Sequence, residues 1–325
     1  MARWALRRFA ASLLLCALVP ALAAAQGYPA KPVRIVVPAQ PGGGLDLIGR
    51  TIADQLGRSM AQSFIVENIS GGGGTIASQT VARAAPDGYT LMVGYVGTHG
   101  TNPAVRKVPY DAVRDFTAIA MVGGTPNVLV VQPSLPVTDL ASLVDFAKKN
   151  AGKTSYASGG IGTLNHLAME QLRSAAGFEA LVVHYRGIGP AINDFRAGQT
   201  MMMMPGLAAA LPHIKAQKMK AIAVSGLKRH ALLPEVPTFE ESGYKGFDGV
   251  QWYGIAGPAK LPAEVTQRLN AGINKAIGAR ALQERLSAEA IEPMPMSPGE
   301  FGAFIQSEIA RWSTLAKERK IQLDD

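Results

Sequence analysis

The chain predicts an α/β protein made of two successive α/β units and a closing block of helices. Three observations carry that reading. Short apolar runs rich in β-branched residues alternate with segments of helical spacing through most of the sequence, the pattern of crossovers over largely parallel sheets. Two glycine-rich loops, about a hundred residues apart, each follow an apolar strand and open a helix. Past Pro262, only helical spacing remains.

The elements follow in order. Val33–Val37 is a short β-branched strand that runs into the first loop, Pro38-Ala39-Gln40-Pro41-Gly42-Gly43-Gly44-Leu45-Asp46. Asp46–Met60 is a helix, because Leu47, Ile48, Ile52 and Leu56 lie close to helical spacing. Phe64–Glu67 is a second strand, Gly71–Gly74 a connecting turn, and Thr75–Ala84 a helix. Pro86-Asp87-Gly88 turns the chain into a third strand, Thr90–Val96. Right-handed crossovers then give a largely parallel sheet. A continuous apolar strand, Asn127–Gln132, stops at Pro133. Thr138 is the N-cap of a helix through Lys149, with Asp139 near its positive end.

Ser155–Ala157, Leu164–Ala175 and Leu181–His184 repeat strand, helix, strand around the second loop, Ser158-Gly159-Gly160-Ile161-Gly162-Thr163. A helix over Pro190–Ala197, a strand over Thr200–Met204, a helix over Ala208–Ala216 and a strand over Ala221–Ser225 complete the second unit. Gly249–Ala256 is apolar and carries Trp252 and Tyr253. Helices over Ala263–Ala276, Ala279–Ala288 and Pro298–Lys317 should pack back onto the first unit. The chain therefore crosses between units near 124–127 and 249–253, and two crossings make a hinge. Residues 26–125 plus 251–325 form one lobe and 126–250 the other.

The N-terminus reads as a secretory signal. Arg3, Arg7 and Arg8 precede an apolar stretch from Phe9 to Leu22, and Ala23-Ala24-Ala25 fits cleavage before Gln26. The expected compartment is the periplasm, with a soluble mature protein. Cys16 is the single cysteine and leaves with the leader, so no disulfide, cysteine nucleophile or thiolate metal site is expected. The formal charge of +8 falls to +5 once the three leader arginines are gone. That excess is diffuse and aromatics make up only 6%, which argues against nucleic-acid binding.

The two loops carry the candidate chemistry. Glycine lets backbone approach a ligand, and a helix start offers unpaired N–H groups and a partial positive charge. Two such loops facing each other would clamp an anion; taken singly, each is equally a tight turn or a helix cap. The first lacks the lysine of a phosphate loop and the full dinucleotide spacing, and Asp46 can cap its own helix. None of His99, His166, His184, His213 and His230 stands at metal-ligand spacing, and no cofactor or metal is expected. Met201–Met204 would alternate faces in a strand, so four sulfurs could not converge. Ser158 with His166 raises a secreted serine hydrolase as an alternative, without a Gly-x-Ser-x-Gly elbow or an orienting acid. No enzyme activity is expected.

An ordered series of motifs adds to this. Tyr28-Pro29-Ala30-Lys31-Pro32-Val33, Pro41–Asp46, Val66-Glu67-Asn68, Ala85–Leu91, Pro109-Tyr110-Asp111 and Asp115-Phe116 are followed by Tyr156–Thr163, His166-Leu167-Ala168 and Tyr185-Arg186-Gly187. Leu211-Pro212-His213-Ile214, Leu233–Thr238 and Glu241–Tyr244 complete it. The series resembles the Bug family, the extracytoplasmic solute receptors of tripartite tricarboxylate transporters, over essentially the whole mature chain.

The resemblance implies a two-lobed periplasmic binding protein of the type II arrangement, monomeric, closing on a small carboxylate and handing it to membrane transporter subunits. A sensor feeding a two-component signalling pair is the alternative that the same binding chemistry allows. Carried over from the family, the ligand-binding residues are Ala39, Gln40, Pro41, Gly42, Gly43 and Asp46 in the first loop. In the second they are Ser158, Gly159, Gly162, Thr163 and His166. Leu45 stands where the family usually has a hydroxyl residue. Met204-Pro205-Gly206 replaces a Phe-Asp-Asn common in relatives, which places Pro205 at the wall and argues against an amino-acid ligand. Tyr95–Thr101, a strand end and loop carrying Thr98 and His99 with Asn102 just beyond, is expected to form a variable wall of the pocket, with His99 touching an anionic or aromatic ligand.

Overall fold

The computed structural model describes residues 27–42 and 44–321. The expected leader with its cleavage after Ala25, Cys16 and Gly43 lie outside the described residues. In chain order the elements are β1 (Val33–Val37), α1 (Gly44–Met60), β2 (Phe64–Asn68), α2 (Thr75–Ala82), β3 (Thr90–Tyr95), α3 (Asn102–Val105) and β4 (Phe116–Pro126). Next come β5 (Val128–Val131), α4 (Leu140–Lys149), β6 (Ser155–Ser158), α5 (Leu164–Ala176), β7 (Leu181–His184), α6 (Ile188–Arg196), β8 (Met202–Met203), α7 (Leu207–Lys215) and β9 (Lys220–Val224). The chain ends with β10 (Val250–Pro258), α8 (Ala263–Gly278), α9 (Arg280–Ala288), β11 (Glu292–Pro293) and α10 (Pro298–Arg319).

Two sheets define two lobes. The first has the order β11-β4-β10-β3-β1-β2 and the second β7-β6-β8-β5-β9. The first is parallel only across β2, β1 and β3; β10 runs antiparallel to β3 and β4, and β4 antiparallel to β11. The largely parallel sheet expected from the sequence is thus a mixed one. The cause is β4, an eleven-residue strand that the sequence hides behind Gly123-Gly124 and Pro126, residues that ordinarily break strands.

The apolar spacing does what it predicts. Ile48, Ile52 and Leu56 of α1 are buried against Val33, Ile35 and Val37 of β1 and against Leu269 and Ile273 of α8. Each such side chain contributes about 1.5–3 kcal/mol of burial. The cap of α4 is Asp139, not Thr138: its carboxylate accepts from Ser142 N–H while the Ser142 hydroxyl serves the Asp139 end. Asp is the better cap because its charge also meets the positive helix end. Ser297 and Glu300 make the same reciprocal box for α10, with Pro298 at the first turn.

The tail helices pack on the first lobe, and α10 reaches further. Phe301, Ile305 and Trp312 bury against Val96, Met121 and Trp252 of the first lobe and against Leu164 and Leu167 of the second. The indole N–H groups of Trp252 and Trp312 both donate to Glu308 Oε2, at 3.1 and 3.2 Å. Burial raises the Glu308 carboxyl above its ordinary range.

Two chain passages join the lobes. β4 continues through Asn127 into β5, and the return runs through Gly249 into β10. One hydroxyl ties them together: Asn127 N–H donates to Ser225 Oγ at 2.8 Å, and Ser225 Oγ donates to the Gly249 carbonyl at 2.7 Å.

Candidate ligand-binding site

A cavity of about 420 Å³ lies between the lobes. Strand register builds its first-lobe wall. Tyr95 at the end of β3 stands opposite Tyr253 of β10, and Gln251 of β10 stands opposite Thr125 of β4; all four line the cavity. Gln251 Nε2 donates to Tyr253 Oη at 3.0 Å. Tyr95 Oη and Asn102 Nδ2 donate to the Gly73 carbonyl at 3.1 and 2.9 Å, so the Gly71–Gly74 turn also reaches the wall. Burial pushes the Tyr95 hydroxyl up to about 12, and it stays a neutral donor at neutral pH.

The second-lobe wall is made of helix starts. Thr163, Leu164 and Asn165 bring the N-terminus of α5, Gly187 and Ile188 that of α6, and Gly206, Ala208 and Ala209 that of α7. None of the three cap residues, Thr163, Gly187 and Gly206, caps its helix with a side chain. Every helix start leaves backbone N–H groups without intrahelical partners and carries about half a positive charge. At α7 the Ala208 N–H meets Thr125 Oγ1 at 3.3 Å; three helix starts with no cap side chain of their own, facing one cavity, still favour an anion there.

The first loop behaves differently. Asp46, 4% exposed, accepts from Gly42 N–H at 2.9 Å, Arg50 Nε at 2.9 Å and Asn68 Nδ2 at 3.0 Å. The Arg50 bond, helped by Gly42 and Asn68 and opposed by burial, holds its carboxyl at about 2. A permanent carboxylate in the first turn of α1 already compensates that helix end. Gly44 lines the cavity. Gln40, Pro41 and Gly42 are exposed and Ala39 half-buried; Gln40 Nε2 donates to Ser70 Oγ and the Ala39 carbonyl accepts from Asn68.

Of the residues expected in the second loop, Gly159 and Thr163 line the cavity. Ser158 turns inward: its Oγ donates to the Gly160 carbonyl and accepts from Gly160 N–H, closing the loop on itself. His166 Nδ1 accepts from Gly162 N–H at 3.1 Å, and burial drops the ring to about 4, so it is a neutral loop brace. Ser158 and His166 share no hydrogen bond among the described residues, so the pair is not assembled as a hydrolase dyad. Gly162 packs against Val105 of the first lobe; a Cβ there would lie 2.3 Å from Val105 Cγ2.

Thr98 and His99 are both fully buried, behind the wall rather than on it. Thr98 Oγ1 bonds the Tyr95 backbone and meets His99 Nδ1 at 2.8 Å. The His99 ring stands edge-on to Phe116 at 4.6 Å, and burial lowers it to about 4. Pro205 is buried, its carbonyl accepting from Val128 N–H; its neighbour Gly206 is the residue that lines. The rest of the expected Tyr95–Thr101 wall does reach the cavity, through Tyr95, Val96, Gly97 and Thr101, with Asn102 beyond. Arg106, Thr125, Asn165, Gln251 and Tyr253 line it without having been expected there. A period-2 reading of β10 puts Gln251 and Tyr253 on one face, but only the strand register brings Thr125 and Tyr95 beside them. A larger, open depression of about 700 Å³ runs along α1 from Arg50 to Ala61 and onto Gln62–Val66; neither glycine loop nor any second-lobe residue lines it.

A cleft between two α/β lobes, walled by helix starts and joined by two chain passages, is the architecture of a solute-binding receptor. The comparisons with known proteins agree. The model of the tripartite tricarboxylate transporter family receptor matches residues 48–321, and the chain belongs to that family, the one that includes the Bug proteins. It is 30% identical to protein BugT of Bordetella pertussis over 311 residues, 94% of each chain. Among solved structures, Rpa4515 of R. palustris with adipate superposes with a TM-score of 0.83 at 33% identity, covering 91% of this chain and 99% of that one. MatC of Rhodopseudomonas palustris with bound malate gives 0.78 at 30% identity, over 89% and 99%. No helix among the described residues is long and apolar enough to cross a membrane.

Proposed function

We propose that this protein is a periplasmic receptor that captures a small organic carboxylate between its lobes and delivers it to a tripartite-type membrane transporter. The observation that carries the reading is the convergence of the three uncapped starts of α5, α6 and α7 on one cavity. Preorganised N–H donors replace the water a carboxylate loses on burial. Residues 26–125 with 251–325 act as one jaw and 126–250 as the other, turning about 124–127 and 249–253. Gly159 and Thr163, together with Asn165, Thr125, Gln251, Tyr253 and the Gly44 end of the first loop, contact the ligand. Ser158, Gly162, His166 and Asp46 hold the two loops in shape. Adipate and malate, the ligands seen in Rpa4515 and MatC, are the first compounds to try.

The test is a thermal-shift screen of the leader-free protein against mono-, di- and tricarboxylates, aromatic acids and amino acids. A bound ligand stabilises by mass action, so a carboxylate should raise the melting temperature in a concentration-dependent way. No stabilisation by any of these acids would refute the reading.

A further inference from the structure

Arg106 is the one cation lining the cavity among the described residues. It follows Val105, the residue that packs against Gly162 of the second loop, so it stands where the two jaws meet. A Cβ at Gly73 would lie 3.7 Å from its Nη2, which places the guanidinium on the wall beside Asn102. Its Nε is sealed from solvent and has no hydrogen-bond partner, and among the described residues no carboxylate pairs with its side chain. A guanidinium offers five donors in a rigid fork and never loses its charge. Leaving such a donor buried and unanswered is costly. Glu289, the one carboxylate on the cavity wall among the described residues, is exposed and makes no bond to it.

The charge of the site can be added up. The three helix starts supply roughly half an elementary charge each and the guanidinium a whole one, which outweighs the single negative charge of the exposed Glu289. A monoanion held at the helix starts would leave Arg106 unanswered.

We infer that Arg106 is the residue that selects a doubly charged ligand. One carboxylate lies on the helix starts of the second lobe and the other takes the Arg106 fork, two N–H donors to two oxygens. The walls between, formed by Val96, Leu164, Ile188, Ala208 and Ala209, suit an apolar or lightly substituted carbon chain. This rests on the receptor reading above and adds to it the charge of the ligand and the side chain that reads it.

The experiment compares matched acids on the leader-free protein by calorimetry: succinate with butyrate, glutarate with pentanoate, pimelate with heptanoate. In the unaltered protein, at least one diacid should bind tenfold or more tighter than its monoacid, with a preference that weakens as salt rises. In Arg106→Gln that ratio should fall below threefold, and Arg106→Lys should recover part of it. Ligand-free melting of each variant reports whether it folds. Monoacids binding as tightly as diacids in the unaltered protein would overturn the inference and leave the receptor reading standing. So would an unchanged ratio in a folded Arg106→Gln. Failure of every carboxylate to bind would overturn both.

Discussion

Gly206→Asp should nearly abolish ligand binding while leaving the protein as stable as before. Gly206 is the cap of α7, with φ −61° and ψ 141°, an extended conformation open to any residue. A Cβ there would lie 2.9 Å from Gln251 Oε1, the far end of a flexible side chain that can turn aside. An Asp at this position can accept the N–H of Ala208 or Ala209, a gain of a few tenths of a kcal/mol over glycine. Folding should therefore change by less than about 1 kcal/mol, a melting shift of about 2–4 °C at most. Binding responds to the charge. Two carboxylates about 5 Å apart at an effective dielectric constant of about 20 repel by roughly 3 kcal/mol, which is about two orders of magnitude in Kd. Gly206→Asn has the same shape without the charge and carries the same Gln251 displacement. Titration calorimetry with the carboxylate that gives the largest thermal shift should put the Asp variant about a hundredfold below the Asn variant. Affinities within threefold of each other would refute the claim that the start of α7 faces the bound anion.

Three further outcomes follow from the geometry. Gly162→Ala puts a Cβ 2.3 Å from Val105 Cγ2 at a φ of +73°, so the jaws should fail to meet: affinity should drop more than tenfold, and ligand should no longer compact the protein in small-angle scattering, whereas normal compaction would contradict it. Ser225→Ala removes the hydroxyl that links Asn127 N–H to the Gly249 carbonyl and should cost about 1–3 kcal/mol in urea unfolding; a loss below about 0.5 kcal/mol would mean the two passages do not depend on it. Asp46→Ala should cost about 2–3 kcal/mol at pH 7, because three donors lose a charged acceptor. The Asp46 carboxyl lies at about 2 in the folded chain against an ordinary 3.8, so its contribution is full above about 4 and is lost as pH falls through about 2. Unfolding midpoints of the two proteins should converge across that acid range; a gap that persisted undiminished down to pH 2 would refute the assignment.

How much of this the sequence made legible depends on what each residue's type constrains. Val33–Val37 was readable as a near-continuous β-branched run buried on both faces, and Ile48, Ile52 and Leu56 by the helical spacing of one apolar face. The glycine loops were readable as strand-to-helix turns for the same kind of reason: backbone needs narrow the residue choice. Direction was not readable. Ser158, His166, Thr98 and His99 are polar residues beside a cleft, and each commits a polar atom to its own loop or to a buried neighbour. A buried loop must satisfy its backbone donors first, and short hydroxyl and imidazole groups are the ones that reach them. The residues that do face the cavity, Thr125, Gln251 and Tyr253, sit on strands whose antiparallel pairing joins positions more than a hundred apart, and no local pattern fixes that register.

Arg106 is the extreme case. In the sequence it stands beside Lys107 with nothing to single it out, and α3 before it is a four-residue helix too short to leave a periodic trace. Beside the packing of Val105 on the second loop the residue is half-buried, and its Nε is closed off from solvent. The same contact explains why an arginine is tolerable there. In the described arrangement its Nε is buried without an acceptor, whereas with the jaws apart, on the receptor reading proposed above, water would serve it. On that same reading a bound anion would answer the donor and an empty closed cleft would not. Arg106 would then favour the open state of the empty protein and couple closing to the charge of what has been caught.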